Sequence, residues 1–216
     1  MLTYIPFRTL LIMAFCGLFV TMPAVHAGMT DDTFKESREL RKRAEKTLDE
    51  VNKYVSQLDE TERTLSLVGK ADSGNLRKRY ESFSKELNNL EEEQLHVTSA
   101  IEKMRTRAAE YFSSWDKANA QMSDPDLREA SARRRWRVME RHREFADALS
   151  EIRLELQPFM SNLRDLNAFL GADLSDTNVS KAGEMIEKSQ TDAKVLKERI
   201  ANAQIALKQF LKETPE

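Results

Sequence analysis

Apolar side chains in this chain recur at alternating steps of four and three over long stretches. From Leu76 the pattern passes through Tyr80, Phe83, Leu87, Leu90, Gln94, Val97, Ile101, Met104, Ala108, Tyr111, Trp115, Ala118 and Met122, with Gln94 as its one polar member. A strict 3-4 repeat marks a supercoiled seam, whereas looser spacing marks a globular face. The spacing therefore predicts a helix over 75–123. At about 1.5 Å per residue it is roughly 70 Å long, and a helix of that length needs another element along its seam.

Phe145, Leu149, Ile152, Leu156, Phe159, Leu163, Leu166 and Leu170 continue the same rhythm and predict that cover as a helix over 125–170. Ser123-Asp124-Pro125 supplies a capping side chain and a proline at the first helical position. So short a connection makes the two helices antiparallel neighbours. Their register then sets Met104 opposite Phe145, Leu90 opposite Phe159 and Phe83 opposite Leu166. Pro158 predicts a kink near Leu154 rather than an end, because the seam resumes unshifted beyond it. Two shorter helices flank this pair: one over 31–68, carrying Ala44, Leu48, Val51, Val55, Leu58 and Leu65, and one over 177–211, with its seam from Val179 to Phe210. The loop at Gly69–Gly74 ends the first, and Gly171 closes the third.

The fold class this predicts is all-α, an elongated antiparallel four-helix bundle or coiled coil forming a single domain over 28–216. Outer helices of about 36 residues cannot cover inner ones of about 47, so a central hairpin should project. Its tip would span roughly Phe112 to Trp136, with Trp115 and Trp136 facing each other across it.

Composition agrees and removes other classes. The 216 residues include 6 Gly, 5 Pro and 1 Cys, too few for a collagen-like chain, a disulfide framework or the frequent turns of an all-β domain. Residues 1–27 read separately, as a signal peptide. Arg8 precedes an apolar run from Thr9 to Val25, and Val25-His26-Ala27 offers the small residues of a cleavage site before Gly28. An uncleaved anchor is the alternative, but Pro23 and the short apolar core favour cleavage. Phe15 before Cys16 does not suit a lipoprotein, so Cys16 leaves with the leader. The chain is expected to be exported, to the periplasm of a Gram-negative bacterium, and to rely on packed helices rather than disulfides.

Charge then singles out the tip. Within residues 128–143 lie Arg128, Arg133, Arg134, Arg135, Arg137, Arg141 and Arg143 against only Glu129 and Glu140, a window of +5 in a body otherwise acidic. One reading makes this a solvated face pairing with Glu110, Asp116 and Asp126, with the tryptophans closing the seam. The other makes Trp115, Arg128, Arg133, Arg134, Arg135, Trp136 and Arg137 a docking surface for phospholipid headgroups, lipopolysaccharide or an acidic protein. Export puts nucleic acid out of reach. Glu93-Gln-Leu-His96 has the Glu-x-x-His spacing of di-iron bundles but lacks a second copy, so no metal or cofactor is expected. Gln94 and His142 occupy seam positions and read as register-setting or snorkelling residues rather than ligands. No nucleophile triad, phosphate-binding glycine loop or catalytic cysteine is present, and no enzymatic activity is expected.

Leu76-Arg-Lys-Arg-Tyr-Glu81, the segment from Ala109 to Trp115-Asp116, Asp126-Leu-Arg through Arg135, and Leu156-Gln-Pro-Phe-Met160 resemble a family of secreted bacterial helical proteins catalogued as domain of unknown function 2959. The resemblance covers nearly the whole mature chain. Some relatives are lipoproteins, a pattern from which Phe15-Cys16 departs. It implies an exported helical protein and transfers no activity. The function expected is that of a non-enzymatic envelope scaffold or adaptor, the alternative being a membrane-surface module that uses the Arg/Trp tip. Incomplete apolar faces on the outer helices leave room for a homo-oligomer.

Overall fold

The computed structural model describes residues 31–70 and 75–215, so the leader and its cleavage site lie outside the described residues. Four helices account for nearly all of them: α1 (Asp31–Gly69), α2 (Leu76–Ala120), α3 (Pro125–Ala172) and α4 (Asp176–Glu213). Each packs antiparallel on its chain neighbours, and α4 returns to α1, closing a four-membered ring without diagonal contacts.

Local chemistry sets the boundaries. The Asp124 carboxylate accepts the amides of Asp126 at 2.8 Å and Leu127 at 3.0 Å, and Pro125 starts α3 where no amide is needed. Ser175 caps α4 by accepting from the Asn178 amide at 3.4 Å. The far end of α4 is tied to α1: Arg41 donates to the carbonyl of Leu211 at 2.9 Å, and the Ser37 hydroxyl donates to that of Pro215 at 2.6 Å. α3 runs unbroken through Pro158. The carbonyl that this proline frees belongs to Leu154, a residue 75% exposed, where water can satisfy it. Gly171 does not end α3, which continues to Ala172. Its lack of a side chain makes room for the Tyr80 hydroxyl, which donates to the Asn167 carbonyl at 3.1 Å and would collide with a Cβ there.

The core divides into two closed clusters. One, at the loop end, gathers Leu58, Phe83, Leu90, Phe159, Leu166 and Leu196; the other, at the tip end, gathers Met104, Trp115, Val138, Phe145, Leu207 and Phe210. Expected partners fall together: Met104 with Phe145 in one, and Leu90 with Phe159 and Phe83 with Leu166 in the other. The Tyr80–Asn167, Glu91–Arg164 and Asp116–Arg135 contacts hold the same antiparallel register.

Between the clusters the seam differs from the pattern. α1 packs closely on α2 and α3 on α4, while α2 and α3 make the thinnest contact of the ring. Midway, the Thr47 hydroxyl donates to the Arg43 carbonyl at 2.9 Å and reaches the Ala100 carbonyl across the interface at 3.3 Å. Small Ala44 and Ala100 permit that approach. α2 accordingly buries Ala100 against α1 and leaves Gln94, Val97 and Ile101 only half-buried. Opposite them Leu149, Ile152 and Leu156 are half-buried too. The central hairpin is thus closed at both ends and parted in the middle.

Candidate functional site

The projecting tip is shorter than the residue pattern suggests. α1 and α4 reach 39 and 38 residues against 45 and 48 for α2 and α3. Asp32 and Glu36 of α1 border a hollow with Ala109, Ser113 and Lys117, and Glu213 of α4 meets Arg134. The unaccompanied part of the hairpin is therefore about residues 118–133, and Phe112 and Trp115 lie in the covered bundle.

Trp115 and Trp136 do not face each other. Trp115 is 2% exposed, and its indole N–H donates to Ser131 Oγ at 2.9 Å, which donates onward to Asn119 Oδ1. Trp136 is 59% exposed. The inward positions of α3 are Ser131, Val138 and Phe145, and Trp136, two residues before Val138, is rotated by about 200° from that face. Matching positions along the register placed the two tryptophans at one height without regard to this rotation.

Most of the arginines are engaged. Arg128 Nε donates to the Met122 carbonyl at 3.1 Å. Arg133 pairs with Glu129, and Arg134 pairs with Glu213 and donates to its carbonyl at 2.6 Å. Arg135 holds Asp116 at 2.7 Å and lies 5.5 Å over the Phe112 ring. Arg141 meets Glu144 and Arg143 meets Glu140, both at 2.8 Å. Of the three acids expected as partners only Asp116 serves the cluster, since Glu110 pairs with Arg107 at 2.6 Å. Arg137 alone has no partner among the described residues. His142 is enclosed between the Phe112 and Phe210 rings, at centroid distances of 5.9 and 5.5 Å, and burial lowers its pKa.

A second grouping joins helices that the sequence pattern does not connect. Glu50 of α1 comes to Glu93 and His96 of α2, with potential ligand atoms within 4.8 Å of one another. Only the α1–α2 register, invisible in the Glu-x-x-His spacing, supplies this third group. Its surroundings are cationic, however. Lys53 donates to Glu50 at 3.1 Å, and Arg43, Lys46 and Lys103 line the same hollow. Four positive charges raise the local potential and oppose a divalent cation there.

The third feature is the parted middle of α2 and α3, a groove of about 420 Å³. Val97 and Ile101 form one wall and Ile152 and Leu156 the other, over a floor that includes Tyr54 of α1 and Ile200 of α4. Gln94, Glu102, Arg153 and Gln157 also border it. Sequence reasoning gave Tyr54 and Arg153 no role. Tyr54 offered a faint signal, standing three residues after the seam residue Val51.

Among the described residues no helix is long and apolar enough to cross a membrane. A family model described as protein of unknown function (DUF2959) matches residues 30–214. No curated protein and no solved structure matches the chain.

Proposed function

The chain belongs to the DUF2959 family of proteins of unknown function, and from that premise we propose that it is an exported, non-enzymatic coiled-coil protein serving as a scaffold or adaptor in the bacterial cell envelope. One observation carries the reading: just behind its braced tip, the central hairpin presents an unpaired arginine beside exposed apolar side chains. The Trp115–Ser131–Asn119 chain and the Asp124 cap fix the tip, while Trp136, Met139 and Arg137 stand outward on α3. Trp136 and Met139 are three apart and share a ridge. An exposed aromatic with an adjoining arginine is the composition of a protein-docking hot spot, and the free charge favours an acidic partner. The non-enzymatic reading rests on the sequence, which carries no nucleophile triad, phosphate-binding glycine loop or catalytic cysteine. Export rests on the leader-like run from Thr9 to Val25.

A photo-crosslinking residue at position 136, used in intact cells, should give a protein adduct, weakened by Arg137→Glu. Its absence would overturn the adaptor reading. Amino-terminal sequencing of the protein from a periplasmic extract should begin at Gly28, and retention of the leader on a cytoplasmic protein would refute export. The alternative, docking of the tip on anionic lipid, is weakened because six of the seven arginines already have partners within the chain. Salt-sensitive flotation with phosphatidylglycerol vesicles, lost when Arg133, Arg134 and Arg135 become Glu, would restore it.

A further inference from the structure

The outward flank of the central hairpin carries large apolar side chains that stay exposed. Leu95 on α2 is 69% exposed and Leu154 on α3 is 75% exposed, and the hairpin register sets the two side by side. About 27 Å nearer the tip stand Trp136 and Met139. Supercoiled helices repeat their faces every seven residues, so Leu95 is in line with Glu102 and Asp116, and Trp136 with Gln157 and Arg164. Glu102 and Gln157 border the groove, while Asp116 and Arg164 reach across to the other helix of the pair. These side chains therefore share one face, the flank along which α2 and α3 meet.

That face is complementary to itself. Reversed end for end and laid on a second copy, α3 sets Leu154 on Trp136 and Arg143 on Asp147, with Phe145 at the centre. The same reversal of α2 sets Leu95 on the half-buried Phe112 and Glu102 on Arg105, with the centre between Lys103 and Met104. Each helix supplies its centre separately. The two coincide, because Met104 and Phe145 lie opposite each other in the hairpin and share one core cluster. A two-fold interface needs such a common axis, with every unlike pair occurring twice. The charges involved are available at the surface: Asp147 is exposed, and the Arg105–Glu102 and Arg143–Glu140 bridges lie on the outside of their helices.

We infer that the chain forms a symmetric antiparallel homodimer through the α2–α3 flank, covering Leu95, Leu154 and Trp136 with a second copy. The inference rests on the docking reading of Trp136 and deepens it by naming what covers that side chain. Arg137, about 100° further round the helix, stays at the rim. Two helices about 10 Å wide, over the roughly 26 Å from Leu95 to Phe112, cover about 500 Å² on each copy. The total of about 1,000 Å² is where specific interfaces begin.

The test uses the chain from Gly28 onward, with all four helices, in sedimentation velocity at about 100 μM, well above the micromolar dissociation constants of weak interfaces. The native chain should sediment as a dimer. Arg143→Glu sets acid against acid twice and should be monomeric; Asp147→Arg sets cation against cation twice and should be monomeric too. Mixed in equal amounts, the two variants should form a heterodimer, because each substituted side chain meets its complement in the other chain. Both positions are exposed, and circular dichroism should show each variant fully helical. A photo-crosslinker at position 136 of the purified protein should join two chains at the peptide around Leu154. A native chain that sediments as a monomer, single variants that stay dimeric, or a mixture that stays monomeric would overturn the dimer. Adducts to a different protein at position 136 in cells would then leave the adaptor reading standing without it, whereas adducts of two copies alone would keep the dimer and remove the adaptor.

Discussion

At the level of Val97, α2 treats its two neighbours oppositely. Toward α1 it presents Ala100, close enough for the Thr47 hydroxyl to reach the Ala100 carbonyl at 3.3 Å. Toward α3 it presents Val97 and Ile101 across a groove of about 420 Å³. The difference is one of side-chain size. Small and hydroxyl-bearing residues let two backbones approach, and on a straight helix a close approach on one side draws the other side away from its neighbour. Closure is recovered where large residues can span the gap, at Phe83, Leu90 and Phe159 and again at Met104 and Phe145.

The largest effect that distinguishes closed from parted regions should come from deleting a side chain in each. Phe159→Ala, inside the loop-end cluster, leaves a cavity that the helices cannot collapse and should cost about 3–5 kcal/mol. Ile101→Ala, on the groove wall, removes atoms already half in water and should cost less than about 1 kcal/mol. Melting followed by circular dichroism reads both, at roughly 2–4 °C per kcal/mol for a chain of this size. Equal losses would mean that the groove is closed in solution.

Filling should show the reverse asymmetry on a smaller scale. Ala100→Leu forces bulk into the α1–α2 contact and should destabilise by about 1–3 kcal/mol. Val97→Leu, three residues earlier, has the groove to extend into and should stay within about 0.5 kcal/mol. A penalty at position 97 as large as that at 100 would remove the distinction between the two faces.

How much of this could be read in the residues depended on what each position had to reveal. α4 was fully legible, because its seam from Val179 to Phe210 is apolar or small throughout and all ten positions are buried. α1 was half legible. Its buried stripe also uses Thr33, Ser37, Thr47, Thr61 and Thr64, which a hydropathy pattern scores as polar. They can be buried because a threonine hydroxyl satisfies itself on its own helix, as Thr61 does on the Gln57 carbonyl at 2.8 Å and Thr64 on that of Glu60 at 3.1 Å. The groove was not legible, since periodicity shows which face turns inward and not how far away the neighbour stands. At the tip, the charge excess was visible but its partners were not. Glu213 lies 79 residues from Arg134, and only the fold brings them together.

The closed tip-side core differs from the groove in enclosing a titratable ring, and this gives a pH dependence. Burial between Phe112 and Phe210 holds His142 neutral, with its pKa below the ordinary 6.5. As pH falls through about 6.5 the unfolded chain takes up the proton first. The stabilisation is therefore complete above pH 6.5 and declines below it, toward the lower folded-state pKa. The Glu86 carboxyl, held below its ordinary 4.5 by hydrogen bonds from Gln57 and Asn89, contributes only in a more acidic window. Melting temperatures between pH 7.5 and 5.0 should fall in the native chain and flatten in His142→Phe. An unchanged slope in that variant would assign the effect elsewhere.

The smallest contrast lies within α1, between two hydroxyls about two turns apart. Thr47, on the closed side, bonds the Arg43 carbonyl at 2.9 Å, and Thr47→Val keeps its shape while losing that bond. It should cost about 0.5–1.5 kcal/mol. Tyr54, on the groove floor, has a buried hydroxyl with no partner, so Tyr54→Phe removes a desolvation penalty and should raise stability by up to about 1 kcal/mol. If Tyr54→Phe instead lowers stability, the hydroxyl is already satisfied in solution and the contrast between the two sides of α1 disappears.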